Sequence, residues 1–190
     1  YHAIKLSLPK LQGGGKTALV IGLGGLGQLA VQILTAITGA TVFATDMKPE
    51  AMVEAEKSGA VPIEGGEGQV ERIRELTGGQ GVDAVFDFVG ITPTIQVAQQ
   101  VVRRQGRITI VGVAGQPTSW DFYSNPYEAE LTNTYWGTIE ELYEVVALYQ
   151  AGKIRPTVTT YPMDRALDAG DGAQPRGDRG GDLHHGGRVF

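Results

Sequence analysis

The chain has 190 residues, 42% of them apolar, and a formal net charge of -5, which is enough for one sizeable core and too acidic for a nucleic-acid surface. It contains no cysteine, so a disulfide framework and a thiolate metal site are both excluded. No apolar run reaches bilayer-spanning length, and Tyr1 to Leu11 mixes Lys5 and Lys10 with apolar residues, unlike a signal peptide, so a soluble cytoplasmic protein is expected.

In chain order, Tyr1 to Leu11 reads as a short helix stopped by Gln12-Gly13-Gly14-Gly15. Thr17 to Gly22 is a continuous apolar run, the pattern of a strand buried on both faces. Beyond it Leu26, Leu29, Ala30, Ile33, Leu34 and Ile37 recur at helical spacing. Thr41 to Asp46 is the next strand, and Pro49 to Ser58 the next helix, with Pro49 suited to its first turn. A short strand at Ala60 to Ile63 and a helix at Gln69 to Leu76 follow, then a strand at Val82 to Val89, a helix at Pro93 to Arg103 and a strand at Gly106 to Val113. Leu131 to Trp136 reads as a further strand, Thr138 to Ala151 as an amphipathic helix capped by its threonine, and Pro156 to Tyr161 as a last strand. Strands alternating with helices predict an α/β fold of three layers, a Rossmann-like, doubly wound parallel sheet with helices on both faces.

The patterning stops at Ala169. Residues 170–190 hold seven glycines and no apolar periodicity, which predicts a dinucleotide-binding domain over 1–169 and an irregular tail. We read that tail as the product of a shifted reading frame or sequence junction; translating the encoding DNA in the other frames tests this, and the idea is wrong if no frame restores a helix and strand.

Gly22-Leu23-Gly24-Gly25-Leu26-Gly27 satisfies G-x-G-x-x-G. With 28 glycines in the chain, matches on the order of one per chain arise by chance, so the context has to carry the reading. The turn directly follows a buried strand and opens a helix. Gly22 permits the tight turn, Gly24 lets backbone approach a pyrophosphate, and Gly27 lets the helix sit close to the sheet. The helix end supplies N–H groups and a favourable dipole. Asp46 ends the second strand 19 residues past Gly27, where an acid accepts from the adenosine ribose hydroxyls and disfavours the 2′-phosphate of NADP, so NAD is the expected cofactor. A simple turn-capping role for Asp46, and an ordinary solvated one for Lys48, are the alternatives.

TALVIGLGGLG, TVFATD, ELTGGQGVDAVFDFVG, RITIVGVAG and TYWGT, in that order, resemble the cofactor domain of zinc-containing medium-chain alcohol dehydrogenases, with the nearest likeness to bacterial NAD-dependent secondary-alcohol dehydrogenases. The resemblance spans roughly Tyr1 to Ala169. It implies that Gly24, Gly25 and Leu26 meet the pyrophosphate and Asp46 the ribose, with Lys48 nearby. It further implies that Phe88 and Val89 flank the cofactor, that Val111, Gly112 and Val113 meet the nicotinamide ribose and ring, and that Tyr135 and Trp136 lie near the carboxamide. A homodimer through an edge strand at Leu131 to Tyr135 is implied as well. For the apolar residues, plain core packing is the competing reading.

The resemblance also implies a catalytic zinc held by Cys and His ligands, largely in a separate domain. This sequence offers no Cys and only His2, His184 and His185, fewer than a catalytic zinc requires. The expectation is therefore a cofactor half without the catalytic zinc domain and without its own catalytic residues. A second reading is a non-enzymatic dinucleotide-binding or sensing domain, since this fold hosts many functions. A third, a self-sufficient short-chain dehydrogenase, would use Tyr1 with Lys5 or Tyr149 with Lys153; the first pair precedes the glycine turn and the second straddles a helix stop. Asp83 and Asp87, four apart on one strand, read as a strand-start acid and a residue near the cofactor edge rather than an acid–base pair.

Overall fold

A computed structural model describes residues 1–158, 160 and 162. The alternating strands and helices of the sequence form a six-stranded sheet, every neighbouring pair of which is parallel. Its strands are β1 (Thr17–Ile21), β2 (Thr41–Asp46), β3 (Val61–Glu64), β4 (Val82–Asp87), β5 (Val102–Ile110) and β6 (Glu130–Asn133). They lie in the order β3-β2-β1-β4-β5-β6. The chain winds outward from β1 in one direction through β3, then crosses back to β4 and winds the other way. Ligands of such sheets bind where that direction reverses, beyond the carboxyl ends of the strands.

The helices are α1 (His2–Ser7), α2 (Gly25–Ile37), α3 (Pro49–Lys57), α4 (Gln69–Leu76), α5 (Thr92–Val101) and α6 (Ile139–Gln150), with a 3₁₀ turn at Leu8–Lys10. Alternating side chains of the central strands enter two separate cores. Ala18, Val20, Val42, Ala44 and Phe86 pack with residues of α1, α2 and α3. Leu19, Ile21, Phe43 and Val85 pack with Ile73 of α4 and Ala98 and Val101 of α5. Strands buried on both faces explain the unbroken apolar runs. Tyr1–Pro156 form one compact unit.

The structure moves several expected boundaries. Arg103, expected at the end of a helix, lies in β5, because Val102 already pairs with Val82 ahead of a register shift between Val82 and Ala84. β5 ends at Ile110 rather than Val113 and β4 at Asp87 rather than Val89, since the N–H groups of Val111 and Gly112 both turn onto the Asp87 carbonyl. Tyr135 and Trp136 follow β6 instead of belonging to it. The described residues of 156–161 carry no strand, and Pro156 has no N–H to contribute to a ladder. The expected boundary at Ala169, the tail 170–190, His184 and His185 lie outside the described residues.

Candidate cofactor site

At the carboxyl end of β1 the chain turns sharply at Gly22, whose φ of 86° is left-handed and so suits a residue without Cβ. Its N–H donates to the Thr45 carbonyl at 2.9 Å, and an added Cβ would lie 2.6 Å from the Val89 side chain. A Cβ on Gly27 would collide with the Gly22 carbonyl, so α2 rests directly on the turn. Around Gly24 and Gly25, by contrast, an added Cβ would meet nothing within 4 Å. No side chain caps α2 at Gly24. Its first N–H groups, which every α-helix leaves without internal partners, therefore face an open cradle with the geometry and polarity of a phosphate site.

Asp46 stands beside this cradle and is tied into it. Its Oδ2 accepts from the Leu23 N–H at 2.6 Å and its Oδ1 from the Lys48 N–H at 2.9 Å. Leu23, Gly24, Gln28, Asp46, Lys48 and Glu50 line a hollow of about 410 Å³. On the other side of the turn a groove of about 530 Å³ runs past Leu26, Phe88, Val111, Tyr135 and Trp136. A third hollow, of about 500 Å³, includes Gly112 and Val113 and shares Val111 and Tyr135 with the groove. The fourteen residues singled out from sequence thus gather along one edge of the sheet, although they come from five segments of chain.

Their roles there are not uniform. Leu26 shares the helical spacing of the residues α2 buries, yet it is 66% exposed and lines the groove, because it lies in the first turn of α2. Val89 is a wall for Gly22, and a Cβ on Gly112 would collide with the Val89 backbone, so glycine at 112 serves close packing of β4 against β5. Val113, Tyr135 and Trp136 are 84%, 75% and 77% exposed, which removes simple core packing as their reason.

The other acids are engaged in structure. Asp87 is fully buried, accepting from Val89 N–H and Gly90 N–H on Oδ1 and from the Thr94 hydroxyl on Oδ2, and so fastens the turn into α5. Asp83 sits at the opposite edge, bonded to Lys16 at 2.9 Å, Arg103 at 3.1 Å and the Thr17 N–H at 3.0 Å. Burial pushes its carboxyl up, but the Lys16 and Thr17 hydrogen bonds and the Lys16 and Arg103 charges outweigh it and hold the group below the usual carboxylate range.

Sequence reasoning missed the pair His2–Glu141, whose Nδ1 to Oε1 distance is 2.9 Å and which lines the groove. Its two members are 139 residues apart, beyond any local signal. Tyr1, one of the two tyrosines weighed for short-chain chemistry, has its phenol pushed up to about 12 by burial and by the Glu144 carboxylate, unsuited to proton transfer near neutral pH. Tyr149 lies near the end of α6 and Lys153 beyond it; neither lines the groove. Among the described residues no group of three or more His, Cys, Asp and Glu side chains could hold a metal ion. None of the helices among them is long and apolar enough to cross a membrane.

Residues 25–151 match the family model described as zinc-binding dehydrogenase, and the chain belongs to that family. It is 34% identical over 164 residues to an NAD-dependent alcohol dehydrogenase of Sulfurisphaera tokodaii, a match covering 82% of this chain and 46% of the relative. An NAD-dependent alcohol dehydrogenase of Saccharolobus solfataricus is 33% identical over the same shares. The crystal structure of an alcohol dehydrogenase from Aeropyrum pernix superposes with a TM-score of 0.80 at 34% identity, over 89% of this chain and 49% of that one. These relatives are archaeal, where the sequence resemblance pointed to bacteria. The chain spans about half the length of the relatives it matches.

Proposed function

We propose that this chain is the NAD(H)-binding half of a zinc-type alcohol dehydrogenase. The observation that carries the reading is the open cradle at Gly24 and Gly25, placed at the uncapped start of α2 with Asp46 bound to its rim. In this assignment the α2 N-terminus holds the pyrophosphate, the Asp46 hollow takes the adenosine ribose, and the groove edge at Val111, Gly112, Val113, Tyr135 and Trp136 orients the nicotinamide. NAD supplies the hydride acceptor when bound; the chain's own residues bind it, orient it and shield one side with Phe88 and Val89. The described residues do not suit zinc. The relatives' names support NAD and an alcohol as the parent chemistry.

Calorimetric titration of the chain with NADH tests the reading. Saturable one-site binding is expected; a folded sample that binds no NADH overturns it. We also propose that the chain pairs with a second copy along the outer edge of β6 and the residues after it, Leu131 to Tyr135. Sedimentation over a range of concentrations should then show a doubled mass, and a monomer at high concentration rules the pairing out.

A further inference from the structure

The segment 111–129 joins β5 to β6 without helix or strand, and Val111 to Val113 are its first residues. Its start is fixed, since the Val111 and Gly112 N–H groups both donate to the Asp87 carbonyl, at 2.8 and 3.0 Å. Val113 is 84% exposed, so packing does not hold it. The next anchor is Gln116, reached through Gly115, whose left-handed φ of 69° turns the chain back toward α5. Gln116 Oε1 accepts from the Thr92 N–H at 2.9 Å, and the Thr92 hydroxyl donates to the Pro117 carbonyl, also at 2.9 Å. Thr92 is the first residue of α5, so its N–H is one that the helix leaves without an internal partner. The two bonds form a reciprocal latch between loop and helix end. The helix side of that latch is itself secured, because the Thr94 hydroxyl donates to the buried Asp87 carboxylate at 2.7 Å. Val113, Gly115 and Gln116 line one hollow together with Tyr135.

We infer that Gln116 is a positioning residue: by latching the loop to the start of α5, it holds Val113 where the nicotinamide ring of a bound cofactor lies. This rests on the proposed NAD(H) site and deepens it. Without the latch the loop stays tied to α5 further along, where Gln99 donates to the Ser119 carbonyl at 2.6 Å, but Val113 is released. Apparent affinity then falls with the fraction of time the competent arrangement is held. The loss falls on the nicotinamide end alone, because the glycine turn and Asp46 make no contact with this latch.

The test is calorimetric titration of the full chain and its Gln116→Ala, Gln116→Glu and Thr92→Val variants with NADH and with ADP-ribose, which lacks the nicotinamide. The readout is the ratio of the two affinities, which cancels any change at the pyrophosphate and adenosine. Gln116→Ala should lower that ratio about fivefold, the worth of one exposed hydrogen bond, with ADP-ribose affinity unchanged. Gln116→Glu should restore it, because a carboxylate oxygen accepts from the same N–H and suits a helix start. Thr92→Val removes only the bond to Pro117 and should lower the ratio less than Gln116→Ala. A ratio unmoved in Gln116→Ala, whether both affinities hold or both fall together, overturns the inference. So does a Gln116→Glu variant that behaves like Gln116→Ala, or a wild type that binds NADH no tighter than ADP-ribose. Each of those results leaves the NAD(H) reading standing; a folded wild type that binds neither ligand removes that reading and this inference with it.

Discussion

The two edges of the sheet treat charge in opposite ways. At the amino ends of the strands Asp83 is enclosed by Lys16, Arg103 and the Thr17 N–H, and Glu130 by Lys10 and Arg107. At the carboxyl ends Asp46 is tied to backbone N–H groups of Leu23 and Lys48, and among the described residues no side chain caps the α2 terminus, with open space around Gly24 and Gly25. The first edge has met its electrostatic requirements from within, as a structural feature does. The second leaves a helix end unmet, which is how a fold holds a place for a charged ligand.

The largest expected effect joins the two properties. Gly27→Ala sets a methyl group against the Gly22 carbonyl, and because backbone cannot step aside as a side chain does, a cost of about 3 kcal/mol is expected. Chemical denaturation should show that loss and titration the disappearance of NADH binding; an alanine variant of wild-type stability would mean that α2 does not rest on the turn.

Next in size is the closed edge. Asp83→Asn should cost about 2 kcal/mol, the range for hydrogen bonds to charged groups, and leave NADH affinity intact. Because the folded state holds the Asp83 carboxyl below its ordinary value, its contribution is complete above the unfolded-state pKa of about 4 and disappears as pH falls through the folded value. Denaturation midpoints measured from pH 7 down to the acid limit should therefore decline less steeply in Asp83→Asn. Parallel curves for the two proteins would show that the network does not depend on the ionised carboxylate.

The smallest effect isolates the open edge. A methyl group on Gly25 meets nothing within 4 Å and lies in the first turn of a helix, where alanine is the better former. Gly25→Ala should keep or slightly raise stability while weakening NADH about tenfold, roughly 1.4 kcal/mol. Unchanged affinity would place the pyrophosphate elsewhere.

Much of this edge was legible in sequence because its signals are local. A buried strand, three spaced glycines, a helix and an acid 19 residues on are read from one continuous stretch, and the structure joins them through Gly22 to Thr45 and Leu23 to Asp46. What escaped depends on distant contacts. Nothing near Val102 announces that it pairs with Val82 and starts a strand, and nothing near Gly112 shows that Val89 presses against it. Leu26 shows a different limit: helical spacing identifies a face but not where along the axis the core ends.

The winding of the sheet also orders how the site comes into being. The glycine turn and Asp46 belong to β1 and β2, which pair across a short crossover, Thr17 to Thr41. Phe88 and Val89 arrive only when β1 pairs with β4, Ala18 to Ala84, far more remote in sequence. Contacts so remote in sequence close late and slowly. A chain that has laid down only its first three strands therefore holds Gly24, Gly25 and Asp46 without the Val89 wall against Gly22. On the function proposed above, the capacity to retain the dinucleotide would follow the pairing of β1 with β4, so nucleotide binding would report completion of the sheet rather than its beginning.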